Sequence, residues 1–229
     1  MRVSSANRQM LGLETGIHDQ ARVSLINFRE YPSESFEYLV LKRLFDFVAS
    51  LVLLLLLAPL FILIALAIKL STPGSVFFRQ ERVGMNGRRF WIYKFRTMVS
   101  ASQRISDTGW SHPRDERITP VGRFLRRTSL DELPQLVNVL LGDMSLVGPR
   151  PERPYYVEVF SQEVPEYVLR QYVKGGMTGW AQVNGWRGDT SIHKRLEHDL
   201  YYLQNWHFWF DVKILFLTLL RGFNHPNAY

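Results

Sequence analysis

Apolar and polar positions fall into three regimes along this chain. The first is a continuous apolar run at 47–68, FVASLVLLLLLAPLFILIALAI, with no charge and a single hydroxyl at Ser50. At about 1.5 Å per residue its 22 residues reach roughly 33 Å, close to a hydrocarbon core of ~30 Å. A soluble core helix is rarely apolar on every face over such a length. Pro59, near its middle, deletes one backbone hydrogen bond and kinks a helix there. Lys42 and Arg43 precede the run and Lys69 follows it, so both flanks are cationic. Cationic flanks stay on the cytoplasmic side. A bent hairpin that enters and leaves one face, and a kinked spanning helix, both fit.

The second regime is short and β-prone. Residues 76–78 and 90–95 are rich in Phe, Trp, Ile and Tyr, and Asn86-Gly87 between them is a strong turn signal, which predicts a β-hairpin. The third is helical periodicity broken by glycine and proline. Residues 121–141 read as helical: Leu133, Leu136, Val137 and Leu140 recur at i, i+3, i+4 and i+7. Ser129 and Glu132 match the S-x-x-E capping box, and Pro134 suits a first turn, so a helix start is expected within 129–132. Residues 142–154 form a Gly/Pro-rich loop, 155–173 and 192–204 are helical, and 174–191 is Gly-rich with short strand candidates. In NWHFWFDVKILFLTLLRGF, Asp211 and Lys213 argue against a crossing, leaving an in-plane interfacial helix or a core-packing one. Residues 100–120 are a polar loop. The organisation expected is an extension at 1–41, a membrane helix at 42–70 and a catalytic domain at 71–229.

Composition sharpens this picture. Among 229 residues there is no cysteine, which removes disulfides, thiolate catalysis and cysteine-ligated metals. The net charge of +7 suits anionic partners. From residue 69 to 104 eight basic residues face one acid, Glu81, directly after the apolar run, so lipid headgroups are the expected contact. His193 and His198 lack metal-ligand spacing, and no nucleophile elbow, Walker loop or dinucleotide fingerprint occurs. What remains is a pair of adjacent acids, Asp131 and Glu132, and basic residues able to meet phosphate: Lys94 and Arg96 in KFRTM, and Arg150 in VGPRPERP. Bare adjacent carboxylates repel; a divalent ion removes that cost and bridges to phosphate.

KRLFD, the proline-split apolar run, PGSVFFRQERVGMNGRRFWIYKFRTM, RRTSLDELPQLVNVLLGDMSLVGPRPE and GMTGWAQVNGWRGDT resemble, in order, the bacterial sugar transferases, monotopic polyprenol-phosphate phosphoglycosyl transferases. The likeness covers nearly all of 42–229. The C-terminal stretch looks most like undecaprenyl-phosphate glucose-1-phosphate transferases of exopolysaccharide and colanic-acid type. The resemblance implies an α+β fold: a mostly helical monotopic membrane protein with a proline-kinked re-entrant membrane helix, a small β-hairpin and interfacial amphipathic helices. It implies transfer of a hexose-1-phosphate, glucose-1-phosphate first, from a UDP-sugar to undecaprenyl phosphate with release of UMP. Galactose-1-phosphate and N-acetylhexosamine-1-phosphate are the alternatives, and a membrane-anchored basic binding or scaffold protein is the non-enzyme one. Asp131 would be the nucleophile, Glu132 its partner, and both would hold Mg²⁺. Arg150, Lys94, Arg96, Asn184 and Arg187 would bind substrate. Membrane lipids are expected partners at the cytoplasmic face of a bacterial inner membrane; nucleic acid is not, and self-association is left open. Gly175 departs from the family pattern, where proline or alanine is expected.

Overall fold

A 29-residue helix, α1 (Arg43–Ser71), runs along the molecule and continues a π-helical turn, Glu37–Lys42. The computed structural model describes residues 35–99, 115–188 and 190–221. The expected extension, apart from its last residues, and most of the polar loop at 100–120 lie outside those residues. Pro59 sits inside α1. Its side chains divide into two sets. Phe45, Ala49, Leu54 and Leu57 pack on the main core, whereas Leu60, Phe61, Ile64 and Ile68 pack with Phe95 and Leu125. Leu56 and Ile62 are 70% and 68% exposed. One face of the helix therefore rests on the body along its length, its middle included, and the rest of its apolar surface is exposed. Among the described residues it is the one helix long and apolar enough to cross a membrane.

β1 (Phe77–Val83) and β2 (Arg89–Phe95) form the expected antiparallel hairpin, with Phe77 opposite Phe95 and Val83 opposite Arg89. The turn is longer than a two-residue connection: Gly84 N–H donates to Arg88 O, and Asn86 takes a left-handed φ of 55°. An isolated hairpin is marginal in water. Here Asn138 supports its edge, donating from Nδ2 to Trp91 O at 2.7 Å and accepting from Tyr93 N–H at 3.0 Å.

The region expected to be helical over 121–141, with a helix start within 129–132, holds two helices. α2 (Pro120–Arg127) begins with Thr119, whose Oγ1 accepts from Gly122 N–H, and with Pro120 in its first turn. A Cβ on Gly122 would lie 2.1 Å from Thr97 O, so only glycine permits this approach to the end of the hairpin. Ser129 then adopts φ 55°, Leu130–Glu132 make a 3-10 turn, and α3 (Gln135–Leu141) follows Pro134. The remaining elements are β3 (Ser145–Val147), α4 (Pro154–Glu163), a 3-10 helix at Pro165–Tyr172, β4 (Gly176–Thr178), α5 (Trp180–Val183), α6 (Ile192–Gln204) and α7 (Phe208–Arg221). β3 and β4 pair in parallel. Thus 155–173 is an α-helix followed by a 3-10 helix, and 174–191 holds one short strand and one helical turn.

The core joins Ile92, Leu136, Val139, Met144, Leu146, Val147, Tyr202, Phe210 and Ile214. α7 is two-faced. Phe210, Asp211 and Ile214 are buried, while Trp209, Phe216, Leu219 and Leu220 are exposed. One side packs as a core helix does and the other presents apolar surface, so each expected reading describes one face. Arg43 closes the end of α3, donating to Val139 O and Leu140 O at 2.7 and 2.8 Å.

Candidate active site

The turn between α2 and α3 is where the acids stand. The capping box expected there does not form. Ser129 is left-handed rather than extended, its side chain makes no cap bond, and Oγ is buried without a partner among the described residues. The reason lies at the other half of the motif. Two cations claim the Glu132 carboxylate: Lys94 Nζ donates at 2.9 Å, and Arg150 grips both oxygens, through Nη1 at 3.1 Å and through Nη2. A charge-assisted pair outweighs a neutral cap bond. A non-glycine residue in this backbone region costs about 1–3 kcal/mol and needs surrounding structure to hold it.

Asp131 differs from its neighbour. It is 8% exposed and accepts no hydrogen bond from a described residue. Burial pushes its carboxyl up to about 6, assisted by repulsion from Glu132 and opposed by Lys94, Arg126 and Arg150. Burial acts on Glu132 in the same upward direction, but Arg150, Lys94 and Arg187 outweigh it and hold that carboxyl well below the usual range. Adjacent acids thus take opposite states: one is a settled ion-pair partner, the other is titratable and unpaired.

Both line a cavity of about 250 Å³. Ten cations and four carboxylates surround it, an excess that suits a multiply charged anion. Lys94 comes from β2, Arg126 from α2, Arg150 from the loop after β3, and Arg187 from the loop after α5. Arg96 also lines the cavity, but its guanidinium bonds Pro73 O at 2.7 Å and Thr72 O at 2.8 Å. It ties the end of α1 to the site. Asn184 stands outside the lining and donates from Nδ2 to Trp180 O at 2.8 Å. Gly175 lies against the loop bearing Arg150: a Cβ there would meet Pro151 Cβ at 3.0 Å.

Arg126, Arg82, Arg195, Glu152 and Gln182 also line the cavity and were not singled out in the sequence. Among 28 Lys and Arg residues, no local signal separates these arginines from solvated ones. Adjacency to the acidic pair flags Arg126 alone, whose Nε donates to Thr97 Oγ1 at 2.9 Å.

No cluster of three metal-ligating side chains occurs among the described residues. The donor set still fits magnesium. That ion is commonly held by one or two carboxylates plus substrate phosphates. Asp131 is the open carboxylate; Glu132 is already shared between Lys94 and Arg150.

The profile of the family described as bacterial sugar transferase matches residues 37–225. The chain belongs to the bacterial sugar transferases. It is 50% identical over 195 residues to the UDP-glucose:undecaprenyl-phosphate glucose-1-phosphate transferase of Escherichia coli K12, covering 83% of this chain and 42% of that protein. A Caulobacter vibrioides relative of the same description is 46% identical over 192 residues, covering 82% and 72%. The UDP-N-acetylgalactosamine-undecaprenyl-phosphate N-acetylgalactosaminephosphotransferase of Aeromonas hydrophila is 44% identical over 191 residues, covering 81% and 45%. This sugar transferase spans less than half the length of the first of these relatives.

Proposed function

We propose that this sugar transferase moves a hexose-1-phosphate from a UDP-sugar to undecaprenyl phosphate, releasing UMP, with glucose-1-phosphate as the group transferred. The observation that carries this reading is the Asp131 carboxylate, buried, free of hydrogen bonds from described residues, and set among Lys94, Arg126 and Arg150. The names of the glucose-1-phosphate transferases at 46–50% identity support the sugar. The Aeromonas relative's name keeps an N-acetylhexosamine-1-phosphate as the second reading.

In this scheme an Asp131 oxygen forms a bond to the sugar-bearing phosphorus. The bridging phosphoanhydride bond breaks, and its electron pair leaves with UMP. An oxygen of the lipid phosphate then bonds the same phosphorus, the bond to Asp131 breaks, and the free carboxylate returns with undecaprenyl-diphospho-sugar as product. Covalent catalysis by a carboxylate divides one hard displacement into two. Lys94 and Arg150 hold equatorial phosphate oxygens, and Glu132 keeps those two cations in place. Asp131, the open carboxylate, would hold magnesium, which would supply charge neutralisation as negative charge builds on the departing phosphate.

Topology belongs to the same proposal. A re-entrant α1, entering and leaving the cytoplasmic face of the inner membrane, is supported by the packing of one side of α1 along its length on the body that carries the site, with its remaining apolar surface exposed. The exposed apolar face of α7 suits the interface plane. Such a monotopic seat leaves the cavity where a lipid phosphate and a water-soluble nucleotide sugar can both arrive.

The test is UMP release by the purified full chain with Mg²⁺ and undecaprenyl phosphate across UDP-glucose, UDP-galactose, UDP-N-acetylglucosamine and UDP-N-acetylgalactosamine. The expected result is turnover highest with UDP-glucose. Absence of UMP release with every donor would favour a binding or scaffold role.

A further inference from the structure

Two glutamates organise the cations of the cavity, and only one belongs to the reacting pair. Glu132 gathers Lys94 and Arg150. Glu152 gathers Arg82 of β1, whose Nη1 lies 3.4 Å from Oε2, and Arg195 of α6, whose Nη1 lies 2.8 Å from Oε1. One carboxylate thus answers two guanidiniums, so this second cluster keeps a net positive charge. It does so out of water: the Arg195 and Glu152 side chains are 5% and 6% exposed.

The donors of the two arginines are unevenly used. Arg82 bonds Gln80 Oε1 at 2.9 Å and Pro151 O at 3.1 Å; Arg195 reaches Gly188 O and Thr190 Oγ1. The Nε of each is buried with no partner among the described residues. Buried N–H groups are almost always satisfied, and leaving one unmade is costly. Arg96, Arg153 and Arg170, which line the same cavity, also carry such an Nε; what sets Arg82 and Arg195 apart is that they share one carboxylate next to Arg150, an arrangement that fits acceptor oxygens. The electrostatics agree. Burial pushes the Arg82 guanidinium down to about 10 despite Glu152, and Arg150 and Arg153 add repulsion.

Spacing comes from the backbone. Glu152 pairs with Val83 as an isolated β-bridge, Val83 N–H donating to Glu152 O at 2.9 Å. Arg150 and Glu152 are two positions apart, separated by Pro151, and both line the cavity. The clusters they anchor are therefore neighbours on one cavity wall.

We infer that Arg82 and Arg195, held by Glu152, form the subsite for the nucleotide-side phosphate of the diphosphate donor, the phosphate that departs within UMP. The inference rests on the UDP-sugar reading above. A guanidinium bonds phosphate oxygens with directional N–H groups. Its hold strengthens as charge gathers on the leaving phosphate, which favours departure. Glu152 is a positioning residue: it repels phosphate by itself, but fixes the two cations that outweigh it.

The test compares UMP with uridine, titrated calorimetrically against the full chain in lipid nanodiscs. Wild-type protein should bind UMP at least about tenfold tighter than uridine, the effect of one or two charge-assisted hydrogen bonds. Arg82→Lys and Arg195→Lys keep the charge paired to Glu152 but lose the planar fork. Each should weaken UMP about tenfold, leave uridine unchanged, and raise KM for the UDP-sugar without raising KM for undecaprenyl phosphate. Equal wild-type affinities for UMP and uridine would overturn the proposal without reference to any variant. So would unchanged UMP affinity in either folded variant, or parallel loss of both ligands, which marks a structural role. None of these titrations needs turnover. If UMP binds through Arg82 in a protein that turns over no UDP-sugar, the reaction scheme falls and the subsite stands.

Discussion

Of the buried aspartates of this sugar transferase, Asp211 and Asp131 have opposite lives. Asp211, at the base of α7, is 1% exposed and fully used. Lys42 Nζ donates to it at 2.5 Å, Tyr202 O–H at 2.8 Å and Trp206 Nε1–H at 3.2 Å. Those donors come from the start of the membrane helix, from α6 and from the link into α7, so the carboxylate clamps three parts of the chain together. Asp131 has cations nearby but no hydrogen bond from any described residue, and a cavity before it. A buried acid with both oxygens held by donors serves the fold. One that is desolvated, unmatched and open to a cavity stores the free energy that a nucleophile needs.

The largest expected effect tests that contrast at Asp131. Asp131→Asn should lower UMP release by about 10³-fold or more, as loss of a covalent nucleophile does, while the melting temperature stays equal or rises. A carboxyl raised to about 6 carries its charge at a cost in the folded state at neutral pH, so the amide relieves strain. Mass spectrometry should find a phospho-sugar adduct on Asp131 in wild-type protein incubated with UDP-sugar alone. Substantial turnover by the variant would remove Asp131 from the scheme.

At the clamp the pattern should invert. Lys42→Met strands Asp211 as a buried uncompensated charge, a loss of about 3–5 kcal/mol. Thermal unfolding in detergent should register it, with specific activity of the folded fraction near wild type. An unchanged melting temperature would show that Tyr202 and Trp206 suffice.

A smaller effect separates the adjacent acids by pH. Only ionised Asp131 attacks, so kcat/KM should fall about tenfold per pH unit below about 6, the value of its carboxyl in the free enzyme. Glu132, held well below the usual range, should add no limb there. In Glu132→Gln the limb should persist but move to lower pH, because the repulsion that helps raise Asp131 is gone; a flat wild-type profile down to pH 5 would break the assignment.

The least perturbing changes probe the helix that the clamp anchors. The chain has no cysteine, so Ser35→Cys and Ser71→Cys each give one label site. Both should react with an impermeant thiol reagent only from the cytoplasmic side. Labelling of either from outside would replace the re-entrant reading with a spanning one.

Much of this was legible along the chain. The apolar run, the hairpin around Asn86-Gly87 and the α6 segment carry their periods locally. The acidic pair stands out because motifs surround it, although its capping box was a false reading: Ser129 and Glu132 have the right spacing, but Lys94 and Arg150 draw the glutamate away. Asn184 bonds Trp180 O, as a residue closing a helical turn does, and lies outside the cavity lining. Arg82, Arg126, Arg195 and Glu152 passed unmarked because a charged side chain in a basic sequence gives no sign of which way it faces.

Residue order by itself determined where this protein seeks the membrane, which segments fold as helix or hairpin, and which family it joins, because those properties depend on neighbours a few positions apart. It also named both acids as candidates. Only the tertiary structure decided between them. The difference rests on desolvation and on cations brought from β2, α2 and the loops after β3 and α5, and no window of sequence contains those distances.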